Sequence, residues 1–215
     1  MFGKRLINTQ QGDSVFEGGD FNGLEYHLVT NPTTGRVWLD RNLGATQVAT
    51  SSNDSSSYGD LYQWGRLTDG HQIRTSSTTS NLSTTDVPLN GNFITADIDW
   101  RSPSNDNLWQ RVDGINNPAP PGFRLPTEAE WNAERLSWSS NNRSGAINSF
   151  LKLPFASFRI ETSGNLYGGN QYGLYWCSTI HSIVGWSRIL FLENSNAQLL
   201  ENRRARGQSV RCIKD

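Results

Sequence analysis

Gly122-Phe123-Arg124-Leu125-Pro126-Thr127-Glu128-Ala129-Glu130-Trp131 is the stretch on which the reading of the chain turns. Thr127 followed three residues later by Glu130 is a capping box, in which each side chain satisfies a backbone amide that the first helical turn leaves without a partner. The string predicts a helix from Thr127 to about Trp138, carrying Ala129, Trp131, Ala133 and Leu136 and entered from an extended segment. Glu128 and Glu130 are two apart on that helix, so they do not face each other and make no paired acid and base. Downstream, Ile147, Phe150 and Leu151 share one helical face, which predicts a second helix over Ser144–Leu153, stopped by Pro154.

Beyond Pro154 the pattern is strand and turn: Phe158–Thr162, Leu166–Tyr167, Gly173–Thr179, Trp186–Glu193 and Ser209–Lys214. Upstream, Leu24–Val29 and Val37–Leu43 flank the turn-forming Asn31-Pro32-Thr33-Thr34-Gly35 and read as a hairpin. Leu61–Gly65 reads as an aromatic helical turn. Residues 46–57 are a Ser/Thr-rich loop, and residues 67–122 form a long polar segment anchored by Phe93, Ile98, Trp100 and Trp109. Residues 1–23 read as an arm, and residues 24–215 as one α+β domain of two helices on small, mostly antiparallel sheets with long loops. Its expected core is Trp131, Phe150, Trp176, Leu190, Leu192, Val210 and Ile213.

Composition supports that class. Ser (24), Thr (16), Asn (21) and Gly (20) together make up more than a third of the 215 residues, which favours turns over a helical bundle. Aromatics at 11%, with eight Trp, argue against disorder. A net charge of −1 gives no electrostatic case for nucleic acid or an anionic membrane. The longest apolar run, Ile189-Leu190-Phe191-Leu192, is far too short to cross a bilayer, and Met1–Gly12 has no secretory h-region. Cys177 and Cys212 read as two small buried hydrophobes or one bridge, and no Cys/His pair has zinc spacing. Cys177 has no adjacent base to make it a nucleophile. Asp97, Asp99, Asp106 and Asp113 match no calcium loop, and Arg203, Arg204, Arg206 and Arg211 read as salt-bridged, for example to Glu193 or Glu201.

The segment from Ile180 to Arg206 stands apart. Alternation places Leu190 and Leu192 inward and Ile189, Phe191 and Glu193 outward. With Ile180, Ile183, Val184, Trp186, Leu199 and Leu200, this is more apolar surface than one sheet face needs. Two readings follow: a sheet buried on both faces, or an exposed patch rimmed by His181, Arg203 and Arg206 that marks a binding surface.

Five strings in order complete the reading: Thr34-Gly35-Arg36-Val37-Trp38-Leu39-Asp40-Arg41-Asn42-Leu43-Gly44, Gly59-Asp60-Leu61-Tyr62-Gln63-Trp64-Gly65-Arg66, the string at 122–131, Tyr175-Trp176-Cys177-Ser178-Thr179, and Ser209-Val210-Arg211-Cys212-Ile213-Lys214-Asp215. Together, from about residue 25 to the end, they resemble the Fibrobacter succinogenes major paralogous domain and, within it, the variable proteins of diversity-generating retroelements. The resemblance implies a C-type lectin-like fold without catalysis, cofactor or metal. It also implies a surface, diversified by adenine-directed mutagenesis, that binds a macromolecular ligand, expected to be a protein and not a nucleic acid. Display on a phage particle or cell surface would be through other proteins, without membrane insertion. The variable segment would lie between Thr179 and Gly207, giving Ile180, His181, Ser182, Ile183, Val184, Trp186, Ile189, Phe191, Leu199, Leu200, Arg203 and Arg206 as ligand-binding residues. All but Trp186 are reachable from an Asn codon altered at its adenines, whereas Trp186, Glu193, Gln198 and Glu201 are not. The calcium-sugar triplets of true C-type lectins are absent. Two alternatives remain. One is a relative of formylglycine-generating enzymes, which share the fold and need a copper-binding cysteine pair; that family's Arg-Gly-Gly-Ser-Trp signature is missing here. The other is a structural or adhesive domain without diversification.

Overall fold

In the computed structural model, which describes residues 14–215, a three-stranded antiparallel sheet of Gly173–Ile180, Trp186–Leu192 and Ala197–Arg203 separates two apolar clusters. Tyr175, Cys177, Leu190, Leu192 and Ala197 lie in one, with Trp38 and Trp131; Leu174, Trp176 and Ile189 lie in the other, with Trp64, Trp100 and Trp109. The register Trp176↔Ile189 and Tyr175↔Leu190 continues into Ile189↔Leu200 and Leu190↔Leu199, so strict alternation sends neighbouring residues to opposite sides. Ile189 lies opposite Leu190 as read but is 1% exposed, so its expected exposure is corrected, while Phe191 and Leu200 on the same side stay half-buried.

Helix α1 (Glu128–Leu136) begins as the capping box dictates, with Thr127 Oγ1 accepting from the Glu130 amide and the Glu130 carboxylate accepting from the Thr127 amide at 2.8 Å. Arg124 donates to both Glu130 oxygens at 2.8 and 2.9 Å, tying the preceding strand to the cap. Trp131 Nε1 donates to the Trp176 carbonyl, Ser178 N to the Pro126 carbonyl, and Glu128 N to Thr179 Oγ1, which docks α1 on the first strand of the sheet. Glu134 is buried under the same helix because Asn31 Nδ2 and Trp138 Nε1 both donate to it.

Helix α2 is shorter than its periodicity suggested, Arg143–Asn148 with Asn142 as cap. The chain leaves the helix at Ser149, so Leu151 and Leu153 enter the core while Phe150 is 54% exposed and drops out of the expected core. The other six expected core residues are buried.

Four further readings change. Leu24–Val29 is two strands: Leu24–Tyr26 pairs with Gly19–Phe21, inside the supposed arm, and Leu28–Thr30 pairs with Val37–Leu39. The switch falls at His27, whose amide donates to Asp40 Oδ1. Residues 1–13 of that arm lie outside the described residues. Tyr62–Gln63 is not helical but a strand paired with Gly207–Gln208, because the Gln63 side chain bridges the Ile94 and Ala205 carbonyls and accepts from the Ile94 amide. In the long polar segment Phe93, Trp100 and Trp109 are buried anchors, but Ile98 is exposed. The strand expected over Ser209–Lys214 is reduced to Ile213–Lys214, and a separate strand, Gly207–Gln208, precedes it in a different sheet. Among the described residues no helix is long and apolar enough to cross a membrane.

Candidate functional site

A cleft of about 600 Å³ opens where the strands Trp186–Leu192 and Ala197–Arg203 meet the hairpin of Phe158–Arg159 and Leu166–Tyr167. Ile189, Phe191 and Leu200 line it, continuous with the core behind them. Two aromatic pairs, Tyr172 stacked on Phe191 at 5.7 Å and Phe158 with Tyr167 at 5.4 Å, line it as well. Such rings present large apolar area at small entropic cost and leave hydroxyls for a ligand.

Glu161 anchors the two arginines of the cleft, which Glu193 and Glu201 also line. The Glu161 carboxylate, 5% exposed in its side chain, accepts from Arg206 Nε and Nη2 at 2.7 and 2.8 Å and from Arg203 Nη1 at 3.0 Å. The two guanidiniums are thereby held in place, Arg206 over the Phe158 ring at 4.8 Å and Arg203 over the Trp186 ring at 5.6 Å. The sequence reading had these arginines paired with Glu193 or Glu201; instead Glu201 pairs with Arg188, which also contacts Glu128. Arg204 turns the other way and is buried between Asp106, Asp99 and Ser187, and Arg211 is buried against Asn42 and the Leu39 and Leu151 carbonyls. The four arginines therefore form no single anion grip.

The remaining predicted site residues lie elsewhere. Ile180, Ser182, Ile183 and Val184 are exposed on the tip of the hairpin that joins the first two strands. The tip is tight: His181 N donates to the Trp186 carbonyl, Trp186 N to the Ile183 carbonyl, and Ile183 N to His181 Nδ1. Gly185 has φ +78°, and a Cβ there would come within 2.5 Å of Ile98 Cγ2, so the long polar segment packs against the tip. Val184 lines a second groove with Leu82, Ile98 and Pro103. Leu199 does not share the cleft; it packs on the opposite face, against the cluster that holds Leu190. The predicted single surface is thus two patches: a cleft with Trp186, Ile189, Phe191, Leu200, Arg203 and Arg206, and a tip with Ile180, His181, Ser182, Ile183 and Val184.

Glu161, Tyr167 and Tyr172 were missed as site residues, since they lie far before the variable segment and only the tertiary fold brings them there. A run of aromatics between Phe155 and Tyr172 was the one visible signal. Cys177 and Cys212 are buried, unpaired and in different clusters, with burial pushing both thiols up. Among the described residues no three acidic, His or Cys side chains gather to hold a metal. Compared with known proteins, the chain matches no family model, no curated protein and no solved structure.

Proposed function

We propose that this chain is a ligand-binding variable protein with a C-type lectin-like fold, and that the cleft of Phe191, Leu200, Arg203 and Arg206 receives a protein ligand. One observation carries the reading: residues 186–206, the greater part of the 180–206 segment that the resemblance marks as diversified, supply one wall of the cleft of about 600 Å³, and residues 158–172 supply the other. The wall that would vary rests on a frame made by the strings of the resemblance, with Trp176 Nε1 donating to the Tyr62 carbonyl and Trp131 Nε1 to the Trp176 carbonyl. Aromatic rings beside fixed guanidiniums are the composition of protein-binding surfaces.

The deciding experiment reads the DNA beside the gene. A reverse-transcriptase gene with a near-repeat of the segment coding for 180–206, differing from it only at adenines of the repeat, is the expected result. A locus with neither would sink the diversification and leave an invariant binding or adhesive domain.

A further inference from the structure

On a different part of the molecule, Asp60 lines a pocket of about 330 Å³ together with Phe21, Tyr26, Tyr62, Thr68 and Gln72. The carboxylate is built in. Asp60 N donates to the Leu43 carbonyl at 2.9 Å, and a Cβ on Gly44, whose φ is +80°, would meet the Asp60 carboxyl carbon at 2.4 Å. Only glycine fits that approach. Yet Asp60 makes no ion pair among the described residues. The two phenols are committed elsewhere: Tyr26 Oη accepts from Gly44 N at 2.9 Å, and Tyr62 Oη is 3.2 Å from Thr68 Oγ1. Phe21 meets Tyr26 edge to face at 6.3 Å.

A carboxylate set among three aromatic side chains, in a pocket large enough for a small molecule, is the chemistry that attracts a soft organic cation: the charge attracts it and the ring faces take its apolar shell. We propose that this pocket binds an alkylammonium group, with Asp60 as the counter-ion and Phe21, Tyr26 and Tyr62 as its aromatic wall. Burial raises the Asp60 carboxyl to about 6, opposed by the Arg74 guanidinium and by Gln72, the charged and polar groups that face it. A cation therefore finds the carboxylate ionised at neutral pH and loses it as the pH falls through 6.

The probes are choline and its neutral carbon isostere 3,3-dimethylbutan-1-ol, titrated against the full chain by NMR at pH 7.5. Choline is expected to bind about tenfold more tightly than the isostere. Asp60→Asn, which keeps the shape against Gly44, should abolish that preference while the protein stays folded. Phe21→Leu, at a half-buried edge position, should weaken choline several-fold and leave the isostere unchanged. Equal binding of the two probes, no binding of either, or an Asp60→Asn protein that still prefers choline would each overturn the proposal.

Discussion

At the scale of single residues, two buried titrations set opposite pH dependences. His71 Nε2 accepts from the Gln63 amide at 3.0 Å and its Nδ1 faces Asp69 at 2.6 Å, an arrangement that only the neutral ring can make. Burial holds its pKa down to about 4, below the ordinary value of 6.5, although the Asp69 carboxylate opposes that shift. The unfolded chain therefore binds the proton first, and stability is lost as pH falls from about 6.5 towards 4. Melting curves between pH 7 and 4 should show this loss, and His71→Gln should flatten it; an unchanged slope would refute the assignment. Asp60 works the other way. Its folded pKa lies above its unfolded value, so the native state binds the extra proton and stability falls as pH rises from about 4 to 6. Asp60→Asn should melt higher than the native protein at pH 7.5, and the gain should vanish below pH 4.

At the scale of elements, the capped helix and the central strand are the parts whose failure is easiest to measure. Thr127→Ala removes the hydroxyl half of the capping box, leaving the Glu130 carboxylate on the backbone amide of residue 127, and should cost about 1 kcal/mol, seen as a drop in Tm of roughly 2–4 °C for a chain of this length. Leu190 is fully buried beneath Trp131 and Tyr175, so Leu190→Ala should cost about 2–5 kcal/mol. An unchanged Tm there would mean that the strand is slipped by one residue, which would exchange its faces. Both features were legible in the residues themselves, because a capping box is local and strand alternation needs no partner. The strand Ala197–Arg203 was not legible. Its Gln198, Glu201 and Asn202 hide the period, and only pairing with Trp186–Leu192 makes it a strand.

At the scale of the whole molecule, the separation of cleft and tip has an energetic consequence. Phe191 and Leu200 are half-buried and packed on the core, so the Phe191→Ser, Leu200→Ser pair should cost about 2–4 kcal/mol. Ile183 and Val184, 53% and 71% exposed, touch little, so their replacement by Ser should shift stability by no more than about 0.5 kcal/mol each. Urea unfolding of the two double variants separates the patches: equal losses would mean that the tip is packed as tightly as the cleft. In the cleft, the side chains that the proposed ligand would meet also pack on the core, whereas Ile183 and Val184 at the tip carry little packing.

What depends on neighbours along the chain was legible in the residues alone: the start of α1, the alternation of Gly173–Thr179 and Trp186–Glu193, and the turn that joins Leu28–Thr30 to Val37–Leu39. Tertiary structure decided what depends on burial. It sent Ile189 to the core, since a central strand between two apolar clusters buries both of its sides, and by pairing Ala197–Arg203 as an edge strand it put Leu199 on the face opposite Leu200. It turned Tyr62–Gln63 into a strand, because the Gln63 amide found partners more than 30 residues away. It also placed Glu161 beneath Arg203 and Arg206, some 40 residues further along the chain. Such pairings leave no local trace, because a carboxylate has no reason in its own neighbourhood to be buried until the cations that neutralise it arrive.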